Sequence, residues 1–259
     1  MNITATSTVR DLAAGVPGAT RVFENFGIDY CCGGHRTLAD ACREASLPVE
    51  DLTRSLEEGG RASQPGAERD WRQESLTSLA AHIIDKHHHF TRQEFDRLEK
   101  LFEKVCSRHG DSHPELFEAQ KAFYQLKQDL VPHMLKEEQV LFPYITRMEE
   151  AAGERRAVPP PFFGTVRNPV RMMMTEHDAA GDLLKQLRGI TKGYTTPPDG
   201  CVSFQTLHQA LAAFEADLHQ HIHLENNILF PRAVEMEETS APDFHKSAGE
   251  FNEHRCFGH

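Results

Sequence analysis

The chain has 259 residues, a formal net charge of −11, 26% charged side chains and 39% hydrophobic ones. That length supports a sizeable core plus a smaller appended unit, and the acidic balance excludes a phosphate-backbone binder, because no basic face stands ready to displace counterions. No apolar run reaches the roughly 18 residues of a membrane helix, and the opening MNITATSTVRDLAAG lacks the basic start and apolar stretch of a secretory signal. A cytoplasmic protein with neither nucleic acid nor membrane as partner is expected.

Residues 1–60 read as a small helical domain. Within it, TVRDLAAGVPGATRVFENFGI and TLADACREASLPVEDLTRSLEE both carry helical apolar spacing, with Thr8 and Thr37 as N-caps. Between them DYCCGG, residues 29–34, sets two adjacent thiols before two glycines. Such a turn is exposed and flexible, and both sulfurs can reach one partner. Neighbouring cysteines close only a strained ring, so a disulfide between Cys31 and Cys32 is easily reduced. Redox chemistry, soft-metal capture, contact with a client and a plain structural turn all stay open for the pair. GGRASQPG, residues 59–66, has linker composition, and 61–73 is taken as the linker.

Four longer helical segments follow, at roughly 74–108, 114–149, 167–191 and 203–237. They are separated by HGDSHP, by the Pro-rich AAGERRAVPPPFFGTVRNP and by KGYTTPPDG. No stretch shows strand alternation. The fold class is therefore all-α, an antiparallel four-helix bundle over 74–238 beside the small N-terminal domain. Residues 239–259 read as a tail, in which His254, Cys256 and His259 receive no role. Cys42, Cys106 and Cys201 are scattered and read as small core or surface residues, and six cysteines in this length make no disulfide scaffold.

Histidine, at 16, is the unusual component. HMLKEEQVLFP at 133–143 recurs as HIHLENNILFP at 221–231, so that His133 and His221, Glu137 and Glu225, and both LFP triplets lie 88 residues apart. The halves look like two helix pairs related by a pseudo-twofold axis. The first helix of each pair then offers His88, in KHHHF, and His177, in TEHDAAG, 89 residues later.

Residues four apart lie on one face of a helix. Core spacing picks out Leu126, Leu130, His133, Glu137, Leu141 and Tyr144 in the second segment. In the fourth it picks Leu211, Phe214, Leu218, His221, Glu225 and Ile228. The first gives Ile84, His88, Phe95, Leu98 and Phe102, and the third Val170, Met173, His177, Leu184 and Leu187. Each chosen histidine thus sits inside the apolar stripe. A lone histidine there is ordinarily a satisfied core residue, and a lone His-x3-Glu an exposed pair. Two identically framed copies, each preceded by an inward histidine at matched distance, are not explained that way.

Burying an unpaired carboxylate costs several kcal/mol, so two inward glutamates need strong partners. A pair of divalent cations satisfies both, and a histidine–carboxylate donor set suits iron, zinc or manganese. If both glutamates bridge, each ion receives two imidazoles and two carboxylate oxygens and keeps positions open for oxygen, nitric oxide, water or hydroxide. His82, His87, His89, His219 and His223 are expected on other, exposed faces. Asp129, four before His133, and Glu176, beside His177, are candidates to orient a ligand, relay protons or line an access path.

DYCCGG in a small helical domain, followed by inward His88, HMLKEEQVLFP, TEHDAAG and HIHLENNILFP, resembles the di-iron iron–sulfur cluster repair proteins, the Repair of Iron Centers family. The resemblance covers about residues 8–235. It implies a hemerythrin-like four-helix bundle with two non-haem iron ions (Fe2+/Fe3+) and an oxo or hydroxo bridge, serving clusters damaged by nitric oxide or peroxide. It implies His88, His133, His177 and His221 as terminal ligands, Glu137 and Glu225 as bridging carboxylates, and Cys31 and Cys32 as the family's cysteine pair. Asp129 stands where relatives often have the longer glutamate, whereas Glu176 matches better.

The leading function is donation of labile iron to damaged or apo iron–sulfur proteins, with the cysteine domain helping exchange or docking. Reduction of two nitric oxide molecules to nitrous oxide is the enzymatic alternative, with Glu176 or Asp129 delivering protons. No flavin or nicotinamide motif is present, so that reaction needs an external electron donor. An oxygen binder or gas sensor is a third reading, disfavoured because oxygen-carrying hemerythrins have more histidine ligands and lack this cysteine domain. A 50-residue domain is marginal alone, which is compatible with a homodimer.

Overall fold

The computed structural model describes residues 3–62, 69–156, 158 and 161–240. The tail residues His254, Cys256 and His259, and residues 63–68 of the linker, lie outside them. Among the described residues there is no strand; one isolated bridge pairs Thr8 with Thr37.

Four short helices build the N-terminal domain: α1 (Val9–Gly15), α2 (Ala19–Phe26), α3 (Leu38–Glu44) and α4 (Val49–Ala62). Thr8 and Thr37 cap α1 and α3, accepting the N–H of Asp11 at 3.2 Å and of Asp40 at 3.1 Å, each contributing about 1 kcal/mol. The two helical stretches of the sequence are each divided. Gly18 at φ 73° and Ser46 at φ 56° take left-handed backbone between the paired helices, and Pro17 and Pro48 beside them oppose a continuous helix. Val9, Leu12, Phe23, Leu38, Leu52 and Leu56 form the buried core of this unit.

The bundle follows. Helix α5 runs as Leu76–His82, a π-helical segment Ile83–His88, and His89–His109. Helix α6 runs as Glu115–Lys136, a π segment Glu137–Leu141, and Phe142–Gly153; α7 is the unbroken Arg167–Ile190. Helix α8 is Val202–Leu224, a π segment Glu225–Leu229, and Phe230–Ser240. The main packing faces join α6 to α7 and α5 to α8, with α5 also against α6. No helix among the described residues is long and apolar enough to cross a membrane.

Two of the three widened turns have a local cause in the repeated LFP triplet. Phe142 and Phe230 donate their N–H groups to the carbonyls of Glu137 and Glu225, five residues back. A proline comes next in each case, Pro143 and Pro231. Inside a helix its ring presses on the carbonyl four residues earlier, and a π turn relieves that crowding. The π segment in α5 also shifts the expected register: Ile83 is buried, while Ile84 is only half-buried. The other residues of the four core stripes are buried.

Two apolar clusters fill the bundle. One surrounds Phe95, Phe102, Phe123 and Phe214; the other surrounds Leu79, Ile83, Ile145 and Phe230. His88, His133, Glu137, His177, His221 and Glu225 are buried as well and form the polar layer of this interior. Phe123 sits with its ring centroid 5.9 Å from Phe95 and 5.2 Å from Phe102. Phe123→Ala is expected to cost about 3–5 kcal/mol, read as a lower midpoint in chemical denaturation without a change in helical content of the native state.

The N-terminal domain seats its Tyr30 turn against α8. Asn227 donates to the Tyr30 carbonyl at 3.0 Å, and Gln220 to Thr20 at 3.0 Å. Glu24 accepts from the Tyr30 hydroxyl at 2.9 Å and lies 2.9 Å from Nδ1 of His219. Tyr30 meets the His223 ring edge-on at 5.5 Å. These bonds place the cysteine turn directly beside α7.

Candidate metal centre

The four expected histidines bring their Nε2 atoms together in two pairs. His88 and His221 bring their Nε2 atoms to 3.1 Å, and His133 and His177 bring theirs to 3.0 Å. Two nitrogens about 2.1 Å from a common ion at a right angle would lie about 3.0 Å apart. The glutamates divide their oxygens between the pairs. Glu137 sets Oε2 3.4 Å from His88 and Oε1 3.3 Å from His133. Glu225 sets Oε1 3.0 Å from His221 and Oε2 3.1 Å from His177. Two groups result, His88–Glu137–His221–Glu225 and His133–Glu137–His177–Glu225, each with its donor atoms within 4.8 Å of one another.

Both carboxylates are 0% exposed. Both oxygens of Glu137, and Oε2 of Glu225, have no hydrogen-bond partner among the described residues. Buried oxygens of this kind are costly unless a cation meets them, so the donor set fits metal. Without metal the protons compensate. Burial opposes a charge on His133, but Glu137 and Glu176 outweigh it and push its pKa up to about 10. Burial likewise opposes ionisation of Glu137 and Glu225, and the neighbouring histidines hold both below the usual range, Glu225 at about 2.

The outward nitrogens are braced. His88 Nδ1 lies 2.7 Å from Glu138, which also accepts from Arg92 at 2.7 Å. His133 Nδ1 lies 2.7 Å from Glu176, itself paired with Lys136. His177 Nδ1 lies 2.8 Å from Asn226 Oδ1. Such partners fix the ring's orientation and raise its basicity as a ligand. His221 Nδ1 alone among the four has no partner within the described residues.

Residues 79–233 match the hemerythrin HHE cation binding domain, and residues 5–59 match a domain of unknown function, DUF542. The chain is 32% identical over 230 residues to a probable iron–sulfur cluster repair protein of Haemophilus influenzae, covering 89% of this chain and 97% of that one. It is 35% identical over 225 residues to the iron–sulfur cluster repair protein YtfE of Dickeya chrysanthemi, covering 86% and 95%. The chain belongs to the iron–sulfur cluster repair protein family. Its hemerythrin-type domain carries a non-haem iron-binding site, and the histidine–glutamate layer supplies groups that can hold the metal.

In this member of the repair family several expectations need correction. Asp129 is exposed and accepts from Gln125 at 3.0 Å; Leu130, about 100° further round the helix, takes the inward place. Glu176 does brace a histidine, but it is His133 on the neighbouring helix rather than adjacent His177. His87 and His223 are buried rather than exposed, His82 and His219 half-buried, and only His89 of that group is exposed. The π segment brings His87 inward beside His88, and the docked domain covers the face bearing His219 and His223. Burial pushes His223 down to about 4.

Glu138 and Asn226 were not anticipated, although the repeat could have found them. They follow Glu137 and Glu225 at the same 88-residue interval. The repeat also explains the unbraced ring. Glu176 has its counterpart 89 residues earlier at His87, a second ring that stacks on His221 at 5.8 Å instead of accepting from it.

Proposed function

We propose that this protein repairs iron–sulfur clusters by giving up iron held as a pair of ions between the bundle halves. His88 and His221 hold one ion, His133 and His177 the other, and Glu137 and Glu225 bridge both. The observation that carries this reading is the division of oxygens: each glutamate turns one oxygen to one histidine pair and its other oxygen to the second pair or its nearest member. Four protein donors per ion are few for iron, so each ion keeps positions where a recipient's ligand can enter before the protein's own ligands leave. Iron here is cargo. The chain's residues store it and keep bulk water from the carboxylates, and His133 takes up one proton from solvent as the ion departs.

Damaged or apo iron–sulfur proteins are the partners this reading calls for. Iron-loaded protein incubated with an apo iron–sulfur protein is expected to restore the cluster faster than an equal amount of free ferrous iron. Restoration at the free-iron rate would overturn the reading.

The two positions are not equivalent. The ion on His133 and His177 rests on two braced rings, the ion on His88 and His221 on one braced ring and one bare one. Losing an outer partner costs a ligand site roughly 10–100-fold in affinity. A chelator is therefore expected to remove iron in two phases, with the His88–His221 ion in the fast one. His87→Glu, which places an acid where the repeat places Glu176, should slow that phase toward the other. Single-phase removal, unchanged by His87→Glu, would show that bracing does not set the order.

A further inference from the structure

The cysteine turn has a geometry that the histidine–glutamate centre does not use. Asp29 Oδ1 accepts the backbone N–H groups of Cys32 and Gly33, both at 3.0 Å, and lies 3.4 Å from Cys31 Sγ. The two sulfurs are 3.8 Å apart. Sulfurs about 2.3 Å from a common ion at the tetrahedral angle lie about 3.8 Å apart, and a sulfur and a carboxylate oxygen about 3.6 Å apart. The observed separations are close to both. Donor atoms of Asp29, Cys31 and Cys32 all fall within 4.8 Å of one another.

The surroundings hold this arrangement in place. Cys31 is buried and Cys32 half-buried, so one sulfur is anchored and the other reachable. Cys32 Sγ lies 3.7 Å from the carbonyl oxygen of His177, on the backbone of a helix that supplies the centre. One turn on, Gly181 lies beside that sulfur, where a Cβ would sit in ordinary van der Waals contact at 3.5 Å. Lys185 stands 3.6 Å from the second oxygen of Asp29, offsetting charge on an acidic thiolate group.

We propose that Asp29, Cys31 and Cys32 form a second metal site, a tetrahedral two-sulfur, one-oxygen set for a borderline divalent cation, iron(II) or zinc(II). Three protein donors leave the fourth position to a ligand from another molecule. Use of this site as a station for iron leaving the bundle rests on the repair reading above; the site itself does not.

Cobalt(II) added to reduced, metal-free protein tests it. The expected result is a third bound ion per chain, beyond two held without sulfur, accompanied by thiolate-to-cobalt charge-transfer absorption. Cys32→Ser, which alters a half-exposed side chain, should weaken that absorption, the double Cys31→Ser/Cys32→Ser variant should lose it, and both should keep the first two ions. Asp29→Asn should weaken the third ion at least tenfold while the absorption persists at cobalt excess. No thiolate absorption at cobalt excess, or absorption that survives in the double variant, would overturn the proposal. Uptake of fewer than two sulfur-free ions would count against the histidine–glutamate centre, and the thiolate absorption would still decide this one.

Discussion

Glu137→Gln and Glu225→Gln are each expected to empty both metal positions, not one. Each glutamate stands in both donor groups, so each substitution removes a charged oxygen from two ions at once. Outer partners alone are worth roughly 10–100-fold in affinity, and loss of a bridging carboxylate should exceed the upper figure for each ion. The fold should survive. A glutamine has nearly the glutamate's shape and brings no charge into the interior. Iron per chain by metal analysis, with helical content by circular dichroism, reads both outcomes. A variant that stays folded and holds the wild-type amount of iron would show that the carboxylates do not bridge.

Metal uptake should be coupled to protons more steeply than in a site of ordinary histidines. His133 is pushed up to about 10 in the metal-free protein, so at pH 7 an entering ion must displace that proton. Below pH 10 this single displacement weakens affinity about tenfold per pH unit, since one unit corresponds to about 1.4 kcal/mol. Loading at pH 7 in dilute buffer should release protons, and affinity should climb between pH 7 and pH 9.

Stability of the metal-free protein should move the other way. The raised pKa of His133 contributes stability that is full below its unfolded value of 6.5 and is lost as pH rises through about 10. Depressed Glu225 contributes stability present above its unfolded value of 4.5 and lost as pH falls toward about 2. Metal-free protein should therefore be most stable near pH 4.5–6.5 and soften on the alkaline side, where loaded protein does not. Affinity flat from pH 7 to pH 9, with no proton release, would contradict the compensation assigned to His133.

The four bundle helices and the inward-facing set were legible because 3.6-residue periodicity and an 88-residue repeat reported the same faces. Thr8 and Thr37 were legible because a cap is a local signal. The π segments were not: periodicity assumes a uniform turn, and the missed wide turn at 83–88 is why Ile83 and His87, not Ile84, proved buried. Asp129 was harder to place, and the structure puts it on the exposed flank. Spacing of four places a residue near a stripe, but which flank meets another helix is a tertiary fact. Glu176 was chosen for its neighbour in sequence and bonds instead across to α6. His223 could not be judged without knowing that Tyr30 of the first domain would cover it.

On the function proposed above, the polar layer in this apolar bundle exists to hold two ions sharing Glu137 and Glu225. Mössbauer spectroscopy with metal analysis, on protein purified without oxygen and then oxidised, tests it most directly. Two irons per chain forming one magnetically coupled pair are predicted. A single iron, or two irons with no coupling between them, would contradict the account.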